Sequence, residues 1–249
     1  MPPSVERPNF PAPVFLTAEW RHLVMLNYEV APELVAPFIP AGTELDFFNG
    51  KTFISVVGFL FLKTKVLGIP IPFHRNFEEV NLRCYVRRPA PDGWRRGVVF
   101  IREIVPRAAI AWAAKTFYNE NYLALPMAHQ IESTNEVVQR AEYSWKFSGA
   151  TQSVMLTTSS TPKPLVTGSQ AEFITEHYWG YSRQRDGSTM EYQVEHPAWR
   201  VQEAAQTKLS GDFEKIYGVN FSEVLCMTPA SAFLAEGSPV IVRKGVQIG

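Results

Sequence analysis

The sequence predicts a mostly β (α+β) protein built on a closed antiparallel β-barrel with a few flanking helices. Three observations favour strands: Asn-Gly or Asp-Gly pairs lie between β-rich runs at Asn49-Gly50, Asp92-Gly93 and Asp186-Gly187. Such pairs supply the residues with positive φ that tight hairpin turns need. Closure is inferred because so many strands would otherwise leave exposed edges.

The predicted elements follow each other along the chain without a dividing linker. The three turns join TELDFF to KTFISVVGFLFLK, EEVNLRCYVRR to GVVFIREIV, and FITEHYWGYS to TMEYQVEHPAW, and Ser148-Gly149 joins AEYSWKF to QSVMLTTS. Three helices are predicted: Pro32 to Phe38, Ala108 to about Asn119, and Ser210 to Tyr217, which Gly218 would end. We therefore expect a single domain over residues 1–249, with a core of roughly 15–245 and an extended, proline-rich segment at 1–13.

Composition narrows the classes of partner. Apolar residues make up 46% of the 249 residues, and 24 Lys and Arg balance 24 Asp and Glu. A neutral balance removes the electrostatic argument for nucleic acid or an anionic membrane and favours a small-molecule ligand. It permits a homo-oligomer. Cys84 and Cys226 have no zinc or disulfide spacing, so we expect reduced thiols in a cytoplasmic protein.

The strand Glu78 to Val86 carries the clearest chemical pattern. Because strand side chains alternate between faces, Val80, Leu82, Cys84 and Val86 share one face. The other face carries Glu79, Asn81, Arg83 and Tyr85. Glu79 and Arg83 would stand about 13 Å apart, which is too far for a simple ion pair.

Two interpretations of this polar face remain open. The face could meet water, as the polar side of an exposed strand does. Alternatively it lines a cavity inside the barrel, where an acid, an amide, a guanidinium and a phenol could orient a ligand.

Other motifs of catalysis and cofactor binding are missing from the sequence. The five histidines show no metal-ligand spacing, so strand-surface or structural roles are favoured for them and no metal is expected. There is no GxSxG, no Gly-rich phosphate loop and no dinucleotide fingerprint, so no cofactor is expected. Arg21, in EWRHLVMLNYEV, is either a solvated charge or a ligand-binding residue near a strand start.

Several stretches together resemble the domain of unknown function 2071 (YqjF-like) family. They are EWRHLVMLNYEV, PFIPAGTELDFFNGKTFISVVGF, FEEVNLRCYV, AAKTFYNENYLALPM, EHYWGYS and VEHPAW, between about residues 15 and 200. The family is regarded as a relative of acetoacetate decarboxylase. The resemblance implies a cone-like antiparallel barrel with an interior ligand cavity.

The resemblance also places the decarboxylase site on this chain, with its nucleophile missing. Arg21 and Glu79 match an arginine and a glutamate of that site. Ala114-Lys115 matches a Gly-Arg pair, and the Pro-Lys-Lys that carries the Schiff-base lysine falls on Asn121-Tyr122-Leu123. The second glutamate falls near 53–55, where this chain has no acid. Schiff-base decarboxylation is therefore not expected.

The site hypothesis combines both lines of reasoning. Glu79 is the candidate catalytic acid or base, and the other candidates would bind substrate: Arg21, Asn81, Arg83, Tyr85, Lys115, Tyr118 and Tyr122. The last three lie on or just after the predicted second helix. The expected ligand is an oxo acid or other carboxylate held by arginine, with cofactor-free lyase, hydrolase or tautomerase chemistry. The alternative is a non-catalytic binding or sensing protein.

Overall fold

Strands dominate the structure, a computed structural model that describes residues 12–106 and 121–248. One continuous sheet contains fifteen of them. The first seven are β1 (Val14–Val30), β2 (Glu44–Leu45), β3 (Thr52–Val66), β4 (Ile69–Pro70), β5 (Phe77–Ala90), β6 (Gly93–Val105) and β7 (Tyr122–Ala124). The remainder are β8 (Met127–Thr134), β9 (Val137–Phe147), β10 (Ala150–Thr158), β11 (Trp179–Arg183), β12 (Thr189–Glu195), β13 (Val201–Ser210), β14 (Ser231–Arg243) and β15 (Val246–Ile248).

Seven of these strands are joined in a ring of pairings. The hydrogen-bonded neighbours run β12–β11–β6–β5–β3–β1–β14, and β12 also pairs with β14. From β14 the sheet continues through β13, β10 and β9 to β8. The predicted antiparallel arrangement holds for most pairs but not all, because β11 and β7 each run parallel to β6.

The predicted hairpins are confirmed at three of the four turns. β5 and β6 meet across Pro91-Asp92, β9 and β10 across Ser148-Gly149, and β11 and β12 around Gly187. At Asn49-Gly50 the turn forms, with φ of 51° and 77°, but it is closed by the single bridge Phe48–Lys51. The preceding strand, β2, pairs with β5 instead of β3.

The described residues contain four short α-helices: α1 (Pro32–Val35), α2 (Gln170–Thr175), α3 (Phe213–Tyr217) and α4 (Val219–Leu225). The first predicted helix is confirmed, with a 3-10 turn at Ala36–Phe38 extending α1. The third is confirmed in α3, which begins after Asp212 and ends at Gly218, where φ is 89°. The predicted helix at 108–119 lies outside the described residues. None of the described helices is long and apolar enough to cross a membrane.

The second half of β1 and most of β3 are buried on both faces, which explains their nearly continuous apolar sequence. The Cys84 face, which also carries Val24, Val56 and Leu82, packs against Tyr143, Trp145 and Leu156 of β9 and β10 and against Phe213 and Phe221. The Tyr85 face, which also carries Met25, Val57 and Phe233, packs against Phe173 of α2 and Trp199. The predicted polar row of β5 therefore lies on a buried face.

Candidate functional site

The polar row of β5 is withdrawn from solvent. Glu79, Asn81 and Tyr85 expose 3%, 2% and 1% of their surface, and Arg83 is half-buried. Their alternation with Val80, Leu82, Cys84 and Val86 is as predicted, because the opposite set belongs to the Cys84 face. The interpretation that this row meets bulk water is therefore wrong. Burial of an acid and an amide requires polar partners, since an unpaired buried polar group is costly.

Glu79 and Asn81 form one end of the row. The Nδ2 of Asn81 donates to Oε1 of Glu79 at 3.0 Å. Across the sheet, Asn81 is in register with Glu103 of β6, and Glu103 is in register with Tyr122 of β7. Glu103 is 1% exposed, and Tyr122 packs against the Tyr85-face core. This end therefore gathers two buried acids, an amide and a phenol.

Arg83 and Tyr85 form the other end, within a directional hydrogen-bond chain. Ser55 donates to Oδ1 of Asn27 at 2.6 Å, so its oxygen accepts from the Tyr85 hydroxyl at 2.5 Å. Nε of Arg83 donates to that hydroxyl at 3.4 Å, and Nδ2 of Asn27 donates to Ser231. Because Ser231, Asn27, Ser55 and Arg83 face one another across four adjacent strands, the chain follows the sheet register.

Helix α2 covers the Arg83 end. Ser169 caps it by accepting from the backbone N–H of Glu172, whose carboxylate accepts from Gly168 in turn. This cap fixes the helix so that Phe173 reaches Tyr85, with ring centroids 5.5 Å apart. The carbonyl of Ile174 accepts from Nη2 of Arg83 at 3.2 Å.

A second charged cluster lies just beyond Phe173. Nε of Arg96 donates to Oδ2 of Asp46 at 2.6 Å, and Nε2 of His177 lies 3.3 Å from the same oxygen. The His177 ring is 4.7 Å from the ring of Tyr85. Asp46, Arg96 and Phe173 also line an open groove of about 370 Å³, together with Phe47, Phe48, Arg87, Trp94, Gly168, Ser169 and Glu172. The cluster therefore lies between this groove and the β5 row.

Burial controls the protonation of this cluster. Desolvation lowers the pKa of His177 to about 4, and the hydrogen bond to Asp46 only partly opposes it. Burial pushes the pKa of Asp46 upward, but hydrogen bonds from His177 and Arg96 outweigh it and leave that pKa below its usual value. At neutral pH the cluster is thus a carboxylate, a guanidinium and a neutral imidazole.

The structure brings together Glu79, Asn81, Arg83, Tyr85 and Tyr122, but it does not bring Arg21 to them. Arg21 donates to Glu19 at 3.0 and 3.1 Å and to the carbonyl of Gly237. It is in register with Leu60, a residue of the Cys84-face core. The cause is a bulge at His22, with φ of 56°, that reverses the alternation between Arg21 and Leu23.

No lysine within the described ranges is buried. Of the nine lysines in the sequence, all eight within the described ranges are exposed: Lys51, Lys63, Lys65, Lys146, Lys163, Lys208, Lys215 and Lys244. The ninth, Lys115, lies outside the described residues, as does Tyr118. In the described part of the chain, no three His, Cys, Asp or Glu side chains group as metal ligands would.

Sequence reasoning missed Glu103, Ser55, Asn27 and the Asp46–Arg96–His177 cluster. A bulge opposite Leu82 and Arg83 shifts the alternation of β6, so that Glu103 joins the face of Phe100 and Val98. Strict alternation would have placed it on the opposite side. His177 was predicted to be a strand-surface or structural residue, and its burial together with Asp46 confirms only the structural option.

Comparisons with known proteins agree with the predicted family. The family model DUF2071, described as an uncharacterized conserved protein, matches residues 17–239. The uncharacterized protein YqjF of Bacillus subtilis (strain 168) is 24% identical over 186 residues, covering 74% of each chain.

Solved structures show the fold. An acetoacetate decarboxylase from Legionella pneumophila superposes with a TM-score of 0.64 at 12% identity, covering 100% of this chain and 92% of that one. The enduracididine biosynthesis enzyme MppR, complexed with pyruvate, gives 0.65 at 10% identity over 99% and 95%. An acetoacetate decarboxylase-like enzyme from Sphingomonas wittichii RW1 gives 0.65 at 10% over 94% and 93%. With an acetoacetate decarboxylase-like fold and a family match over most of its length, this chain belongs to the DUF2071 family.

Proposed function

We propose that this chain binds a small carboxylate, an oxo acid being the first candidate, inside a closed barrel whose wall is the seven-strand ring. The observation that carries the proposal is the burial of Glu79, Asn81 and Tyr85 in one row on the Tyr85 face. Four different functional groups on one buried strand face are more than packing requires, whereas a ligand site needs a few convergent polar groups.

The two ends of the row differ in charge and give the ligand a direction. Arg83 has five N–H donors, and within residues 12–106 and 121–248 the Tyr85 hydroxyl and the Ile174 carbonyl take two of them. The remaining donors suit a carboxylate, which a guanidinium can hold through two oxygens. Glu79 and Glu103 would repel a carboxylate at the opposite end. A ligand anchored at Arg83 would therefore direct its other end toward Asn81 and Glu79.

The chemistry that fits is cofactor-free proton transfer, with Glu79 as the acid or base. A buried carboxyl can take a proton from a carbon next to a carbonyl, or protonate an enolate, as lyases and tautomerases require. Asn81 holds the Glu79 carboxyl in one orientation through its 3.0 Å hydrogen bond. Schiff-base chemistry is not proposed, because the described lysines are exposed and because the resemblance to the acetoacetate decarboxylases puts Tyr122 where those enzymes have a lysine.

A second candidate is ligand binding or sensing without turnover. Tyr122 favours it, since a phenol beside Glu103 can donate a hydrogen bond but does not replace an amine nucleophile. The same interior would then hold a carboxylate and release it unchanged.

One set of measurements separates these candidates. Purified protein is incubated with pyruvate or acetoacetate in D₂O, and proton NMR follows binding and exchange at the carbon next to the carbonyl. An enzyme exchanges these protons faster than buffer, and Glu79→Gln abolishes exchange while preserving binding. A binding protein shows saturable binding without exchange. If neither acid binds, the proposal is refuted.

Borohydride trapping tests for the Schiff-base mechanism, which we do not expect. Treatment with acetoacetate and borohydride, followed by mass spectrometry, is expected to give no adduct. An adduct that disappears in Lys115→Met but persists in Lys63→Met would show that Lys115 is a Schiff-base nucleophile. That outcome would overturn the assignment of the chemistry to Glu79 alone.

A further inference from the structure

Two buried hydrogen-bond acceptors near the β5 row have no partner among the described residues. They are Oδ1 of Asn81 and Nδ1 of His177. Both side chains are more than nine-tenths buried. Native proteins rarely leave such atoms unsatisfied, so each one points to a water or a ligand that completes it.

The acceptor role of Asn81 is fixed by its neighbour. Its amide faces Oε1 of Glu79 at 3.0 Å, and a carboxylate oxygen can only accept. The NH₂ group must therefore point to Glu79, which leaves the amide oxygen as the unpartnered atom. A flipped amide would set two acceptors against each other.

The acceptor role of His177 is fixed in the same way. Nε2 lies 3.3 Å from Oδ2 of Asp46, so Nε2 carries the proton and donates to that carboxylate. The weaker approach of Arg96 to Nε2, at 3.5 Å, would pair two donors and does not compete with this assignment. With a pKa lowered to about 4 by burial, the ring is neutral at pH 7, and Nδ1 keeps its lone pair. Of the groups packed around the ring, Asp46, Arg96, Arg83 and Tyr85 are charged or titratable.

The two acceptors flank the arginine of the row. Asn81 is two residues from Arg83 on the same face, about 6.7 Å along the strand. His177 packs against Tyr85 on the other side of Arg83. The Tyr85-face site thus offers a cationic donor with an acceptor on each side.

We propose that the ligand of this site is a carboxylate that also carries a hydroxyl or ammonium donor: a hydroxy acid, an amino acid, or the enol form of an oxo acid. This inference rests on the proposed function, because it assumes that the carboxylate lies at Arg83. Arg83 takes the carboxylate, and Asn81 Oδ1 or His177 Nδ1 accepts from the donor. A ketone oxygen in the same place would face an acceptor and be disfavoured.

Matched acids test the proposal on the unmodified protein. Affinities are measured by calorimetry at pH 7 for three acids with the same four-carbon chain: 3-hydroxybutyrate, acetoacetate and butyrate. The hydroxy acid is expected to bind about tenfold more tightly than butyrate, because its hydroxyl satisfies a buried acceptor. Equal affinity of 3-hydroxybutyrate and butyrate would refute the acceptor proposal and leave the carboxylate site intact. If no acid binds, the proposed function fails together with it.

Two variants test which acceptor atom causes the tighter binding of 3-hydroxybutyrate. Asn81→Leu and His177→Phe approximately keep the side-chain shape and remove the acceptor, and His74→Phe is a matched control away from the row. At least one of the two is expected to abolish the affinity ratio that favours 3-hydroxybutyrate over butyrate, whatever its effect on the affinity for butyrate itself. If the advantage survives in both folded variants, these atoms are not its source and the proposal is wrong. Should a variant fail to fold, ¹⁵N NMR of the unmodified protein must still show Nε2–H on His177 at pH 7; an Nδ1–H tautomer would refute the proposal.

Discussion

Mild acid should destabilise this protein through His177, and the magnitude follows from its surroundings. Burial lowers the pKa of the folded-state imidazole from 6.5 to about 4. A depressed histidine pKa means that the unfolded chain binds the proton more readily between these two values. Stability therefore rises with pH through this window and is lost as pH falls. With these two pKa values, the loss between pH 7 and pH 4.5 is about 2 kcal/mol.

The assay is urea denaturation at a series of pH values, comparing the unmodified protein with His177→Gln. Glutamine is neutral throughout and can still donate to Asp46, so the variant keeps the contact and loses the titration. His22 and His196, whose pKa values burial also lowers, contribute equally to both proteins. The pH dependence of the unfolding free energy should therefore be shallower in the variant by about 2 kcal/mol over this range. Parallel curves for the two proteins would show that His177 is not held neutral by burial.

Three further predictions concern the framework around the site. Glu191→Ala should destabilise the protein by about 3–5 kcal/mol in chemical denaturation, because Glu191 is 1% exposed and pairs with Arg88 and Arg95 at 2.8 and 2.6 Å. Glu132→Ala, at a 53% exposed partner of Arg140, should cost less than about 1 kcal/mol, and equal losses would contradict the burial argument. Ser55→Ala should lower the free energy of unfolding by about 1–3 kcal/mol in the same assay, because it leaves Asn27 Oδ1 without its donor. Ser144→Ala, which removes a hydrogen bond near the surface, should change that free energy little. Similar losses in the two variants would contradict the argument that the buried hydrogen bond is the more stabilising one. Gly58→Ala should destabilise the protein by about 1–3 kcal/mol through overpacking, because the added Cβ would lie 2.7 Å from the ring of Tyr143. Calorimetry should show this loss as a lower melting temperature, and an unchanged melting temperature would show that β9 can move away freely.

Local chemistry made the hairpins and the polar strand predictable. Ser148 and Gly149 adopt φ of 51° and 80°, as a two-residue turn requires, so a dipeptide was enough to position β9 and β10. The parallel contact of β11 with β6 could not be predicted this way. It joins residues that are about eighty positions apart and depends on how the chain returns after α2. Short helices such as α2 are also hard to predict from sequence. A helix of six residues is stabilised mainly by tertiary contacts, such as those of the buried Phe173.

The composition of the site depends on two bulges that no alternation pattern reveals. Counting back from Leu23 and Met25 by twos would bring Arg21 to the Tyr85 face, but the bulge at His22 brings Trp20 there instead. Counting forward from Val98 and Phe100 would bring Arg102 there, but the bulge in β6 substitutes Glu103. Each bulge therefore removes a guanidinium from the face, and the second also adds a carboxyl group. Because a one-residue shift moves every later side chain to the other face, these two local irregularities keep Arg21 and Arg102 off the Tyr85 face and set Glu103 on it, across from Asn81. The proposed function depends on that polarity, because it places the anion of the ligand at Arg83 and its reactive or donor groups toward Asn81 and Glu79.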